Sequence, residues 1–142
     1  MNLHDLTTEI RQRFLKVYNS LGQGFSPEIY QRALMVELDN LNLTYRHSHD
    51  VNVYYEGISL GKCRVDFLVE NELIVMIGTE NLISERAREQ LKNMCSATYG
   101  EEGILLNFGS RPGFFQSLKG DEVPMPLPPI EEGRELSGGL LL

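Results

Sequence analysis

The stretch that most restricts the fold is CRVDFLVENELIVMIGTE, residues 63–80. Two apolar runs, KCRVDFLV and ELIVMIG, flank Glu70 and Asn71, a pair that favours tight turns, so two strands joined by a hairpin are expected. Downstream, Leu82, Ile83, Ala87, Gln90, Leu91, Met94 and Thr98 fall at helical spacing, which predicts a helix from Leu82 to about Tyr99. Gly100 and Gly103 end it, and ILLNFG then reads as a buried strand because its apolar run is continuous. A helix between two strands allows them to pair in parallel through a crossover.

The first forty residues are helical. Leu6, Ile10, Phe14, Val17, Tyr18 and Leu21 make one apolar stripe over residues 5–21, which the glycines of LGQGF close. Ser26 is placed as an N-cap, with Pro27 at the first helical position where its missing N–H is harmless. That second helix runs to about Leu41, with Tyr30, Ala33, Leu34, Glu37 and Leu38 along one side. Val51, Val53 and Tyr55 alternate with Asn52 and Tyr54 as a strand, and YEGISLG makes a hairpin turn. The order α-α-β-β-β-α-β predicts an α/β, α+β-like architecture: a mixed central sheet flanked by helices.

Beyond Arg111-Pro112-Gly113 the pattern weakens. Pro124, Pro126, Pro128 and Pro129 preclude a helix or a central strand, so residues 121–142 are expected to form an extended tail after a domain spanning 1–120. The apolar ending LSGGLLL suits docking of that tail.

Composition narrows the function classes. No apolar run approaches the ~18–20 residues of a membrane span, and the polar, acid-bearing opening MNLHDLTTEIRQRF lacks a signal-peptide pattern. Cys63 and Cys95 have no metal-ligand spacing and read as reduced core thiols, so a cytoplasmic location is expected. The net charge of −7 disfavours nucleic acid as a partner, because phosphate-backbone affinity comes from basic surface. Arg11, Arg13 and Lys16, and later Arg86, Arg88 and Lys92, alternate with acids or amides and read as solvated helix faces.

Asp66 is the anomaly, because a carboxylate within an apolar strand must be paired, hydrogen-bonded or bound to a metal. Arg64, two positions earlier, shares its face on a regular strand. The centre of IVMIGTE offers no acid, and Glu80 stands only at its end. His47 and His49 alternate at a strand beginning, yet no third ligand lies near them in sequence, so exposed histidines are expected.

In their order, LGQGFSPEIYQRALMVEL, VDFLV, LIVMIG, EQLKNM and GILLNFG resemble the GxxExxY proteins, a branch of the PD-(D/E)XK (restriction-endonuclease-like) nuclease superfamily, over about residues 5–118. The resemblance implies a restriction-endonuclease-like fold. It also implies a site in which an Asp, a Glu two positions before a Lys, and often a helical Glu surround one or two Mg²⁺ ions. Hard Mg²⁺ takes carboxylate and water oxygens and stabilises charge on the phosphate.

Carried over residue by residue, the naming glycine and tyrosine fall on Gly24 and Tyr30, and the glutamate between them on Pro27. The metal-binding aspartate is Asp66, the strand glutamate falls on Met76, the lysine on Gly78, and the helical glutamine on Gln90. The resemblance therefore implies a degenerate site with no Mg²⁺ and no cofactor, and a binding or assembly module, with a homodimer as one assembly. Asp66 is then a structural group satisfied by Arg64, Gln90 or backbone N–H groups. The alternative is a Mg²⁺-dependent nuclease with relocated ligands, Asp66, Glu37 and Glu80, and with Lys62 as the lysine. Against it, Glu80 lies about 13 Å along the strand from Met76 at ~3.3 Å per residue.

Overall fold

The computed structural model describes residues 1–98 and 102–118. Helix α1, Leu3–Leu21, opens at Asn2, whose side chain accepts the Asp5 N–H at 2.8 Å. It closes at Gly22, where φ is 65° and the N–H donates to the Tyr18 carbonyl. Helix α2, Pro27–Asn40, starts at the expected proline. The Ser26 carbonyl accepts the Ile29 N–H at 3.1 Å, but its hydroxyl makes no cap bond.

Strands β1 (Tyr45–Tyr55), β2 (Ile58–Val69) and β3 (Leu73–Gly78) form an antiparallel meander. Helix α3 (Glu85–Ala97) then crosses to β4 (Glu102–Phe108), which pairs parallel with β3, and β5 (Pro112–Ser117) returns antiparallel. The sheet order is β1-β2-β3-β4-β5, the mixed sheet with flanking helices expected from the pattern.

Strand β1 begins at Tyr45 and takes in His47 and His49, which the sequence places at a strand beginning. Two elements depart from expectation. Helix α3 begins at Glu85 because Ser84 caps it, accepting the Ala87 N–H at 3.1 Å, which leaves Leu82 and Ile83 in the preceding loop. Strand β5 has no clear alternation, and its proline stands at the first position of an edge strand, where a lost donor does no harm. The tail expected at 121–142 lies outside the described residues, as do Tyr99 and Gly100 at the expected end of the third helix.

The core is split by the sheet. Leu6, Ile10, Phe14 and Val17 of α1 and Tyr30, Leu34 and Leu38 of α2 pack on Phe67, Val69, Val75, Ile104, Leu106 and Phe108. Tyr30 stacks on Phe108 with ring centroids 3.9 Å apart, and Phe14 meets the same ring edge-on at 4.9 Å. On the other face, α3 places Leu91 and Cys95 on Val65, Ile74 and Leu105.

Strand β2 does not keep one alternation throughout. Phe67 and Val69 face α1 and α2, whereas Val65, which a regular pleat would put beside them, packs on the α3 side. Its partner β1 behaves the same way, with Tyr45 towards the first face and Val51 towards the second. The change falls between the His47↔Phe67 and His49↔Val65 pairs. There Ser48, opposite Asp66, adopts a φ of 51°, a left-handed conformation that costs energy for a residue with a Cβ. Both strands turn over at Asp66.

Candidate functional site

The β2–β3 ladder runs through Val69↔Leu73, Leu68↔Ile74 and Phe67↔Val75. At the next step the Asp66 side chain occupies the space between the strands. Its Oδ2 accepts the Ile77 N–H at 2.7 Å, and its backbone N–H donates to the Met76 thioether sulfur at 3.4 Å. A carboxylate thus substitutes for a strand partner where the two backbones separate, which is why an acid is tolerated in this apolar run.

The other oxygen faces α2. Asp66 Oδ1 accepts from Gln31 Nε2 at 3.3 Å, and Gln31 Oε1 lies 2.9 Å from His47 Nε2. The imidazole rests beside the Phe67 ring, with centroids 5.0 Å apart. Ile77 N–H, Asp66, Gln31 and His47 form one polar chain from the sheet to the surface. Burial pushes the Asp66 carboxyl above the ordinary aspartate range, and the Ile77 N–H and His47 only partly oppose it. Pro27 lies four residues before Gln31 on the same helix, one turn away along the same face.

Sequence reasoning placed neither Gln31 nor His47 in the site. The signal for Gln31 was its position one turn after Pro27. Arg64, expected beside Asp66, instead pairs with Asp50, its cross-strand neighbour on β1, at 3.1 Å. Gln90 sits half-buried on α3, and that helix packs against the other face of the sheet from α2. His47 and His49 flank the turnover at Ser48 and do not form a pair on one face.

Met76 packs with the α3-side cluster. Gly78 pairs with Asn107, and a Cβ built on Gly78 would stand 2.5 Å from the Asn107 Oδ1. Asn107 is 1% exposed and anchored at both ends of its amide: its Oδ1 accepts the Glu80 N–H at 3.1 Å, and its Nδ2 donates to the Glu80 carbonyl at 2.8 Å. The amide continues the ladder after β3 ends. Gly109 pins the same loop, since a Cβ there would lie 2.2 Å from the Asn81 carbonyl oxygen.

The relocated ligands of the alternative reading lie apart. Glu37, 7% exposed, turns to α1, where Arg13 Nη1 and Lys16 Nζ donate to its Oε1 at 3.1 and 3.2 Å. Glu80 accepts from the Ser84 hydroxyl at 3.3 Å while its backbone is held by Asn107. Lys62 is exposed on the outer part of β2, opposite Asn52. Among the described residues, no group of three or more His, Cys, Asp or Glu side chains is placed to hold a metal ion. Nor, among them, is any helix long and apolar enough to cross a membrane.

The donor set around Asp66 does not fit Mg²⁺. One carboxylate with both oxygens already accepting hydrogen bonds, a thioether and an amide offer little to a hard cation that seeks several oxygen ligands.

No curated protein and no solved structure matches this chain. Residues 4–116, nearly all of the described fold, match the PD-(D/E)XK nuclease superfamily, and the five-stranded mixed sheet with its helices is consistent with a restriction-endonuclease-like fold. The chain belongs to the PD-(D/E)XK nuclease superfamily.

Proposed function

We propose that this chain is a nuclease-fold protein of the GxxExxY type that has lost metal-dependent phosphodiester hydrolysis and works as a binding or assembly module. The observation carrying this reading is the engagement of Asp66: its carboxylate serves the Ile77 N–H and the Gln31 amide. The two positions where the resemblance expects a second carboxylate and an ammonium are a thioether that accepts from Asp66 and a glycine walled by Asn107. A net charge of −7 disfavours nucleic acid as the partner and leaves a protein surface as the more favourable one.

The test is a Mg²⁺ and Mn²⁺ titration read by melting temperature, with incubation of the pure protein with single- and double-stranded DNA. The expected result is no saturable rise in melting temperature at low millimolar metal and no cleavage. A saturable rise, or cleavage abolished by Asp66→Ala, overturns the reading.

A further inference from the structure

An open cleft of about 250 Å³ lies between the start of α3 and the β4–β5 turn, lined by Leu82, Ile83, Arg88, Asn107, Arg111 and Pro112 among others. Asn107 closes its inner side, which puts it at the C-terminal ends of the parallel strands β3 and β4. Crevices at that end of a parallel pair are where open α/β sheets bind ligands.

The charges are unusual for an acidic protein. Arg88 lies 5.6 Å and Lys92 5.9 Å from the Phe115 ring centroid, one helical turn apart on α3, and Arg111 stands across the cleft. The ion pairs among the described residues are Arg13 and Lys16 with Glu37, and Arg64 with Asp50, so these three cations meet no carboxylate there. The Asn107 amide is anchored to the Glu80 backbone through its Oδ1 and one Nδ2 hydrogen, and the positive charge for recognition in the cleft comes from the guanidinium groups. Leu82, Ile83 and Pro112 supply an apolar wall.

We propose that this cleft binds a small organic oxyanion, a phosphate monoester or a carboxylate with a short apolar body. The oxyanion lies between Arg88 and Arg111, whose planar forks suit two-point contacts to such groups, and the apolar body lies on Leu82 and Ile83. The volume is below the ~300 Å³ at which drug-sized sites begin, which favours a small ligand. Asp66 takes no part, so this site stands whether or not the domain cleaves phosphodiesters.

The test is an amide chemical-shift titration of the full chain with inorganic phosphate, phenyl phosphate and benzoate. Saturable shifts at the amides of residues 82, 83, 88, 111 and 113 are expected, with phenyl phosphate binding at least fivefold tighter than inorganic phosphate. Phenyl phosphate and benzoate distinguish the two head groups. Arg111→Gln, at an exposed position, is expected to weaken binding at least fivefold with an unchanged fold, and Arg88→Gln to do the same. Arg64→Gln, on the outer part of β2, is expected to leave binding unchanged. Absence of saturable shifts with all three probes at tens of millimolar overturns the proposal, as does unchanged binding by Arg111→Gln.

Discussion

Replacing Asp66 separates a carboxylate kept for its hydrogen bonds from one kept for its charge. Asp66→Ala leaves the Ile77 N–H, now served at 2.7 Å, and the Gln31 amide without their acceptor in a half-buried place. Stranding such a donor costs roughly 1–3 kcal/mol, which for a chain of this size lowers the melting temperature by roughly 3–12 °C. Asp66→Asn keeps an oxygen for Ile77. Its new NH₂ faces Gln31, whose amide flips to accept from it and turns its own NH₂ towards His47 Nε2, which accepts in the other tautomer. The asparagine variant also removes a charge whose burial is unfavourable, so at pH 7 it is expected to be at least as stable as the parent.

The pH dependence carries the sign. Because the Asp66 carboxyl is raised in the folded chain, the native state holds a proton that the unfolded chain has already released. The stability of the parent minus that of Asp66→Asn therefore falls as pH rises from the ordinary aspartate range through the raised folded value, and is flat above it. Urea denaturation of both variants between pH 3 and pH 8 reads this difference directly. If asparagine is as damaging as alanine at pH 7, or the difference rises with pH, the negative charge itself is needed and the hydrogen-bonding account fails.

The other predictions follow from single contacts. Gly78→Ala brings a Cβ against the Asn107 amide and is expected to cost roughly 1–3 kcal/mol in chemical denaturation, whereas an unperturbed Gly78→Ala would show that the loop yields freely. Tyr30→Phe removes the hydroxyl that donates to the Gly22 carbonyl at 2.5 Å and accepts the Phe25 N–H at 3.2 Å, for a loss of about 1–2 kcal/mol with the Phe108 stack retained. The Thr44 hydroxyl and N–H hold the Glu70 carboxyl below its usual range, so its contribution is present above the ordinary glutamate range and lost as pH falls through the lower folded value. Glu70→Gln is accordingly expected to lower the neutral plateau of the stability curve while leaving its acid end nearly unmoved, which flattens the acid limb; an unmoved plateau would refute this account.

Much of the fold was legible because the residues that build it obey one period each. The stripe Leu6, Ile10, Phe14, Val17 is what α1 buries, and ELIVMIG and ILLNFG became the parallel pair across α3. The strand β5 was not legible, since GFFQS follows neither period and is held at an edge by pairing with β4. The site was half legible. An aspartate in an apolar strand announced a special environment, but its partners follow from the turnover at Ser48 and Asp66, which no local pattern encodes. That turnover gives Asp66 to Gln31 and Ile77, while Arg64 pairs with Asp50, its direct neighbour on β1.

The residues standing where the resemblance expects an acid and a lysine are joined to the fold and are not blanks in it. The Met76 sulfur satisfies the Asp66 N–H, and the absent side chain of Gly78 makes room for the Asn107 amide, which in turn holds both backbone groups of Glu80. Introducing Met76→Glu would add a second carboxylate beside one whose desolvation is already unfavourable, and would strand the Asp66 N–H. Introducing Gly78→Lys would displace Asn107 and free the loop that Gly109 presses against. The two changes disrupt different contacts, Asp66 in one case and the 80–81 loop in the other. Restoring both charges at once is therefore expected to destabilise the domain by about the sum of the single effects, and chemical denaturation of the two single variants and the double variant measures it. A double variant more stable than either single would mean that the new glutamate and lysine pair with each other, and that the present contacts of Met76 and Gly78 can be given up together.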